Sequence, residues 1–595
     1  MIVELAHFCM LLAIMFAGVI TWQAFIGAGI GVLRQLSWCI WGALSLSIVG
    51  LMIAFVTLDY SVAYVQQNVH DSLPIVYRIT ALWGAHEGSL LLLIWWLATW
   101  QVALSHQVIE DVKAHRNSLA IMAFLLVVFG CFIAFTSNPF LRLWPMPASM
   151  GADLNPLLQD PGFVLHPPIL YGGYTGCLVL TSLVLGWAWG HDQPLSLQPI
   201  RRLLLVAMAL LTMGITLGSW WAYHVLGWGG VWFWDPVENV SLMPWLLLMM
   251  SLHHLRLKYL NAWGVVALMV MAMVMVSLII LGVFLVRSGV LVSVHTFATD
   301  ATRGLYLLSM LLGVWLGCAW VMVRFKSSFI EDYGQSSKWL LVPIILFGTA
   351  LTVVILGTLA PIVAQMGGQS ITVGAPYFQQ MMMPIAGIAV LALGLHTLPQ
   401  HSFKIGSVKV LGYQALVSLL LSAILAWWYA MGYLVFSLIA TPVIWSMLRL
   451  GWSWQRGSYW AHQGFLLLLL SITIHWFGTT SYTRHLSLGQ RVDVNGMTIS
   501  YVNDQTLSDD QRKHKEVQFN VYDQQHFIGQ MTSGITFYSV RQMAVPNIGT
   551  LRYGLTDVYV ALSQEKEPHQ WVFRVAFHPW VYMIWISGLM MVIGG

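Results

Sequence analysis

Runs of about twenty apolar residues recur along this chain, separated by short polar loops. They lie near 5–26, 37–58, 84–105, 118–136, 168–189, 203–223, 239–254, 264–286, 304–323, 339–362, 379–398, 409–428, 431–448, 460–477 and 580–595. Most are close to the length an α-helix needs to cross about 30 Å of hydrocarbon. The pattern predicts an all-α polytopic integral membrane protein with about 15 transmembrane helices. The first run begins at the N-terminus with no basic stretch ahead of it and no small-residue cleavage site, so a retained helix is expected there. The rhythm breaks once, over 478–579. Polar and apolar residues alternate there, as in Arg491–Val502, Glu516–Phe527 and Thr556–Leu562, and Asn495-Gly496 is a hairpin-turn signal. The expected layout is a helical core over 1–477, a small external β-rich domain over 478–579 and a final helix over 580–595.

Composition and charge sharpen this picture. Of 595 residues, 58% are hydrophobic and 8% charged, against about 25% charged in soluble domains. A net charge of +4 is too small to suggest nucleic acid as a partner; membrane lipid is the expected surroundings. With the N-terminus outside, the inner loops hold Arg34, Lys113, Arg116, Arg201, Arg202, Arg256, Lys258, Arg324, Lys326, Lys338, Lys404, Lys409, Arg449 and Arg456. The short outer loops hold only Arg78, Arg142, Arg287 and Arg303. That is the positive-inside asymmetry, and it places the β-rich domain outside. Cys9, Cys39, Cys131, Cys177 and Cys318 all lie in apolar runs, and no two form C-x-x-C. They read as small packing residues, so any thiol chemistry must come from a partner.

One outer loop, 224–239, holds the densest aromatic stretch, WGGVWFWDPVEN from Trp228 to Asn239. Trp228, Gly229, Gly230, Trp232, Phe233 and Trp234 suit either an anchor among lipid headgroups or a platform for a flat ligand. An interfacial belt explains two or three tryptophans but not their interleaving with glycines. Two further outer loops each carry a histidine, His166 and His295. Neutral imidazole binds iron, and aromatic faces stack on a porphyrin, so these residues form a candidate haem site. Asp235-Pro236-Val237-Glu238 carries its own signature. Asp at the cap, Pro at the first position and Glu at the third predict the start of a helix.

A second set lies at the inner side. His253 and His254 end one apolar run and His462 begins another, at matching depth. Ionisable groups inside a membrane mark function, and two histidines on different helices can hold one haem from both faces. Spacing alone leaves open whether His253 or His254 takes part, and histidines near a membrane edge also simply face water.

WGGVWFWDPVENVSLMPWL (228–246), LWGAHEGSLLL (82–92), MGADLNPLLQDPGFVLHPPILYGGY (150–174), FLVRSGVLVSVHTFATD (284–300) and the SYW…H of 458–462 together resemble one family. It is the CcmF-type cytochrome c haem lyases of the bacterial cytochrome c maturation system, within the wider tryptophan-rich haem-handling proteins. The resemblance runs from about residue 80 to the end. It implies that His166 and His295 ligate haem delivered by a periplasmic haem chaperone, and that Trp228 to Asp235 form its platform. It also implies that His253, seventeen residues beyond Pro236, and His462 hold a resident haem b, with quinol as a candidate electron source. The implied reaction adds the haem vinyl groups to the thiols of a C-x-x-C-H motif on apocytochrome c, presented by a thioredoxin-like subunit. The implied location is the bacterial inner membrane, with the active loops periplasmic. Two rival readings are a haem exporter that makes no bond and a quinol-to-haem electron carrier; the second has no use for His166, His295 or the aromatic loop.

Overall fold

A computed structural model describes residues 1–257, 262–287, 301–325, 338–396, 405–429, 433–450, 457–509 and 511–595. The apolar helices, numbered in chain order, are α1 (Ile2–Phe25), α2 (Ile30–Val56), α3 (His86–Ser105), α4 (Val112–Thr136), α5 (Pro161–Gly176), α6 (Leu178–Trp189), α7 (Leu197–Val225), α8 (Pro236–His254), α9 (Ala262–Arg287), α10 (Ala301–Arg324), α11 (Leu341–Met366), α12 (Ala375–His396), α13 (Ile405–Trp428), α14 (Tyr433–Leu450), α15 (Gly457–Gly478) and α16 (Val581–Gly594). Among the described residues, twelve helical stretches are long and apolar enough to cross a membrane, with α5 and α6 forming one of them; α14 and α16 carry shorter apolar segments. Over its described residues, each apolar run expected from the sequence is largely helical, including that of α8.

The chain divides into two compact units. The first comprises Met1–Leu154, Val164–Ile215 and Phe233–Ile385; the second comprises Asn155–Phe163, Thr216–Trp232 and Ala386–Gly595.

In the first unit α1 packs on α2 and α4, α6 on α4 and α9, and α8 on α9 and α11. Small residues set the closest approaches. A Cβ on Gly173 of α5 would lie 2.2 Å from the Leu211 nitrogen of α7, and one on Gly214 of α7 would lie 2.6 Å from the Leu170 Cα of α5. Hydroxyls tie helices through backbone carbonyls: Thr181 Oγ1 donates to the Ala272 oxygen at 2.7 Å. In a spanning bundle such contacts replace the hydrophobic drive that lipid removes.

In the second unit α15 packs on α14 and α16, with Gly464 of α15 facing Ser587 of α16 and Gly594 facing Ala461. The polar stretch is a two-sheet sandwich of β1 (Thr480–Ser487), β2 (Arg491–Val494), β3 (Met497–Ser508), β4 (Arg512–Asp523), β5 (His526–Tyr538), β6 (Met543–Asn547), β7 (Gly549–Tyr553), β8 (Thr556–Glu567) and β9 (Gln570–Pro579). The sheet orders are β1-β9-β8-β7 and β2-β3-β4-β5-β6. Asn495-Gly496 makes the β2–β3 turn with φ of 54° and 79°, as its sequence signals. The expected segment Glu516–Phe527 is instead cut by a turn at Gln524-Gln525, with φ of 43° and 76°. Two glutamines carry no turn signature, so the sequence hides that break. Trp571, Phe573, Val575 and Phe577 of β9 enter the sandwich core with Phe519 and Val560. The alternate positions of β9, including Ala576, face the other way, where Ala576 joins Tyr223 of α7, Tyr559 and Ala561 of β8, and Val581 and Trp585.

Candidate functional site

The aromatic loop leaves α7 at Val225 and ends where α8 begins at Pro236. Gly227 and Gly229 adopt left-handed φ of 72° and 67°, which glycine reaches without a Cβ penalty. Within the second unit, this part of the loop rests on the outward face of the sandwich. A Cβ on Gly227 would stand 3.2 Å from Pro546 Cγ, and one on Gly229 would stand 2.8 Å from His578 Nε2. Arg574 Nη1 donates to the Trp228 carbonyl at 3.0 Å. Trp228 itself is 46% exposed, and Trp232 is half-buried.

Phe233, Trp234 and Asp235 belong to the first unit. The helix start read from the sequence is present as a capping box. Asp235 Oδ1 accepts from the Val237 nitrogen at 2.8 Å, and Glu238 Oε2 accepts from the Asp235 and Phe233 nitrogens at 3.2 and 2.9 Å. Trp234 is left-handed at φ 58°, a rare state for a bulky residue. Its surroundings hold it there. Its ring stacks on Phe378 at 4.6 Å and 5°, its carbonyl accepts from Asn239 Nδ2 at 3.3 Å, and Asn239 in turn donates to Thr358.

His166 lies on α5, half-buried, and its Nδ1 meets the Gly214 carbonyl of α7 at 2.7 Å. A carbonyl only accepts, so Nδ1 carries a proton, and in the neutral ring the lone pair sits on Nε2. The close approach of Gly214 to Leu170 brings that carbonyl within reach. His295 lies outside the described residues.

His253 and His462 follow the same chemistry. His253 Nδ1 donates to the Met249 carbonyl at 2.8 Å, and His462 Nδ1 donates to the Ser458 carbonyl at 2.5 Å. Each neutral ring therefore has its lone pair on Nε2, the usual ligating atom when Nδ1–H is bonded to a carbonyl. His254 is different: its Nε2 donates to the Gly264 carbonyl at 2.8 Å, and the side chain is 5% exposed. The two neighbouring histidines thus differ in which ring nitrogen meets a carbonyl, Nδ1 in His253 and Nε2 in His254.

A further set escapes sequence reading. His578 of β9 is 1% exposed, and neither ring nitrogen makes a hydrogen bond. It stacks on His475 of α15 at 5.2 Å and 26° and meets Tyr223 and Tyr559 edge-on. Burial, with the neighbouring His475 and Arg574, lowers its pKa to about 3. Beside it Asp557, also buried, accepts from the Tyr223 hydroxyl at 2.6 Å. Burial raises the pKa of this carboxyl despite that bond and the nearby His224, Tyr582 and Arg552. Asp160 is likewise raised by burial, although its Oδ1 accepts from the Gly162 nitrogen at 2.7 Å. The β9 alternation signals which residues face outward. Nothing in the sequence says that α7, the loop and α15 meet that face.

Comparison with known proteins covers almost all of the chain. Residues 83–291 match the family model described as cytochrome C assembly protein, and residues 479–579 match the CcmF C-terminal beta-sandwich. The cytochrome c-type biogenesis protein CcmF of Haemophilus influenzae is 35% identical over 615 residues, covering 94% of this chain and 91% of its own length. CycK of Rhizobium meliloti, also named a cytochrome c-type biogenesis protein, is 34% identical and covers 100% of this chain and 94% of its own. NrfE of Escherichia coli, a probable protein of the same kind, is 31% identical, covering 97% and 96%. A solved structure named cytochrome c heme lyase CcmF is similar in fold, with TM-score 0.78 at 21% identity, covering 100% of this chain and 96% of that one.

Proposed function

Because this chain belongs to the CcmF family of cytochrome c-type biogenesis proteins and so has a role in cytochrome c maturation, we propose that it ligates haem to apocytochrome c at its tryptophan-rich loop. Substrate haem lies on Trp228, Gly229, Gly230, Trp232, Phe233, Trp234 and Asp235, and its iron is taken by His166 and His295. The observation that carries this reading is the preparation of the loop. Left-handed Gly227, Gly229 and Trp234 hold a non-helical aromatic stretch between two helices, and His166 carries its lone pair on Nε2. The strained backbone at Trp234 persists because its surroundings enforce it, as is most often found at binding sites.

Apocytochrome c supplies the two thiols, since the five cysteines here are unpaired and lie in apolar runs. In each addition the thiol S–H bond and the vinyl π bond break, and an S–C bond and a C–H bond form. The step is redox-neutral, and the thiol proton ends on the former vinyl group. The protein's part is to fix the vinyl edge relative to the incoming thiols, which converts a bimolecular encounter into a positioned one. A haem chaperone delivers the haem and a thioredoxin-like subunit presents the reduced thiols. The reaction takes place at the periplasmic face of the inner membrane, the side to which the asymmetry of basic residues assigns the aromatic loop.

His253 and His462 are the proposed ligands of a resident haem b. In both, Nδ1 donates to a main-chain carbonyl, the tautomer that leaves Nε2 of a neutral ring as the ligating atom, and they stand on separate helices. When bound, that group would supply an electron to keep the substrate iron ferrous, with quinol as the source. His253 and His462 would hold it, with the Met249 and Ser458 carbonyls fixing their tautomers.

The test is a haem titration of purified protein. His166→Ala is expected to weaken capture of added haem while leaving the resident b-type absorbance intact, and His462→Ala the reverse. Full resident absorbance in His462→Ala would remove the ligand assignment.

A further inference from the structure

We propose that Arg574, on the outward face of β9, is the residue that binds a propionate carboxylate of the haem on the tryptophan-rich loop. The inference rests on the loop being the haem platform and names what holds the haem's charged edge. A haem disc is apolar except along one side, where two carboxylates project. An aromatic platform offers them nothing, and the loop's own charges have the wrong sign. Asp235 and Glu238 are both acids, and both carry out the capping of α8.

Arg574 supplies the missing sign from the sandwich. Its Nη1 donates to the Trp228 carbonyl at 3.0 Å, so the guanidinium is fixed at the first tryptophan of the platform. Among the described residues that is its only hydrogen bond, and no carboxylate pairs with it. Nη2 and Nε keep their N–H groups for a ligand, in the planar fork that matches a carboxylate. His578 is two positions along the same face, 1% exposed, with neither nitrogen hydrogen-bonded. Its Nε2 points at the place where a Gly229 side chain would be. The outward face of β9 thus presents the underside of Trp228-Gly229 with one unpaired cation and one unsatisfied imidazole. A wholly structural floor would not leave the imidazole unmet, because unmet buried polar groups are costly.

The sandwich therefore does more than dock a partner: it turns the haem so that the propionates lie toward β9 and the vinyl groups lie away from it, toward the incoming thiols. The shared chemistry is an anionic oxygen pair, which a phospholipid phosphate also offers, so the test separates the two sources. Haem and its dimethyl ester are titrated into purified wild-type, Arg574→Gln, Arg574→Lys and Trp232→Ala proteins in uncharged detergent. Arg574→Gln is expected to weaken binding of haem about tenfold or more, the scale of one charge-assisted hydrogen bond. The diester is expected to bind wild type and Arg574→Gln alike, and Arg574→Lys to recover most of the loss. Equal weakening of diacid and diester would mean that Arg574 only supports the loop, and would overturn the proposal. So would an Arg574→Gln defect that emerges only when anionic phospholipid is added. If Trp232→Ala weakens haem binding and Arg574→Gln does not, the propionate assignment alone fails. If neither changes it, the haem platform itself is misplaced.

Discussion

Gly229→Ala tests whether the sandwich forms the floor of the aromatic loop. The new methyl meets two separate obstacles. The backbone is left-handed at φ 67°, which costs an alanine about 1 kcal/mol relative to glycine. The Cβ also arrives 2.8 Å from His578 Nε2, closer than carbon and nitrogen tolerate. His578 is 1% exposed and wedged between His475 and Tyr559, so it yields little, and overpacking of this kind costs about 1–3 kcal/mol. The sum, about 2–4 kcal/mol, is a large part of the stability of an ordinary domain. The expected results are a lower thermal midpoint for the purified protein and weaker haem capture, with the resident b-type absorbance unchanged. The two obstacles separate in a double-mutant cycle. Measured against His578→Ala, the Gly229→Ala change is expected to cost only the backbone part, about 1 kcal/mol. A Gly229→Ala protein as stable as wild type, or a penalty that His578→Ala leaves undiminished, would refute the packing argument.

Three further outcomes are expected. His253→Ala is expected to abolish the resident b-type absorbance, whereas His254→Ala, which loses only the bond to the Gly264 carbonyl, retains it; visible spectra of the purified variants decide. Asp235→Ala removes the cap of α8 and is expected to cost about 1 kcal/mol of thermal stability, while Glu238→Gln, still an acceptor, costs less. His578 has a folded pKa of about 3 against an ordinary 6.5, so the unfolded chain takes up a proton there that the native state refuses. That contribution to stability is complete above pH 6.5 and is lost as pH falls towards 3, amounting to about 2 kcal/mol at pH 5. His578→Gln is therefore expected to lose less stability than wild type between pH 7 and pH 5, and equal losses would contradict it.

The helices were legible because lipid imposes a length and a composition on every span, and the basic residues of alternate loops keep the count in phase. The cap at Asp235 was legible because its chemistry is local: the donor and acceptor groups lie within five residues. The tryptophans of the loop marked it as a candidate platform through density alone. What supports that platform was not legible. Arg574 and His578 are more than three hundred residues from Trp228, and each is an ordinary strand residue until the fold sets β9 beneath Gly229. The left-handed backbone at Trp234 was equally hidden, because it depends on Phe378 and Asn239 rather than on its neighbours in sequence. His253 and His254 looked alike in the chain; only the Gly264 carbonyl, on the next helix, distinguishes their tautomers.

The most direct measurement is a haem titration in the His462→Ala background, where the proposed resident haem is expected to be lost and so not to mask the added one. One haem per chain is expected to bind with a low-spin spectrum, and His166→Ala or Trp232→Ala introduced into that background is expected to abolish the spectrum or shift it to high spin. An identical spectrum and affinity in all three proteins would show that haem is not held at the aromatic loop.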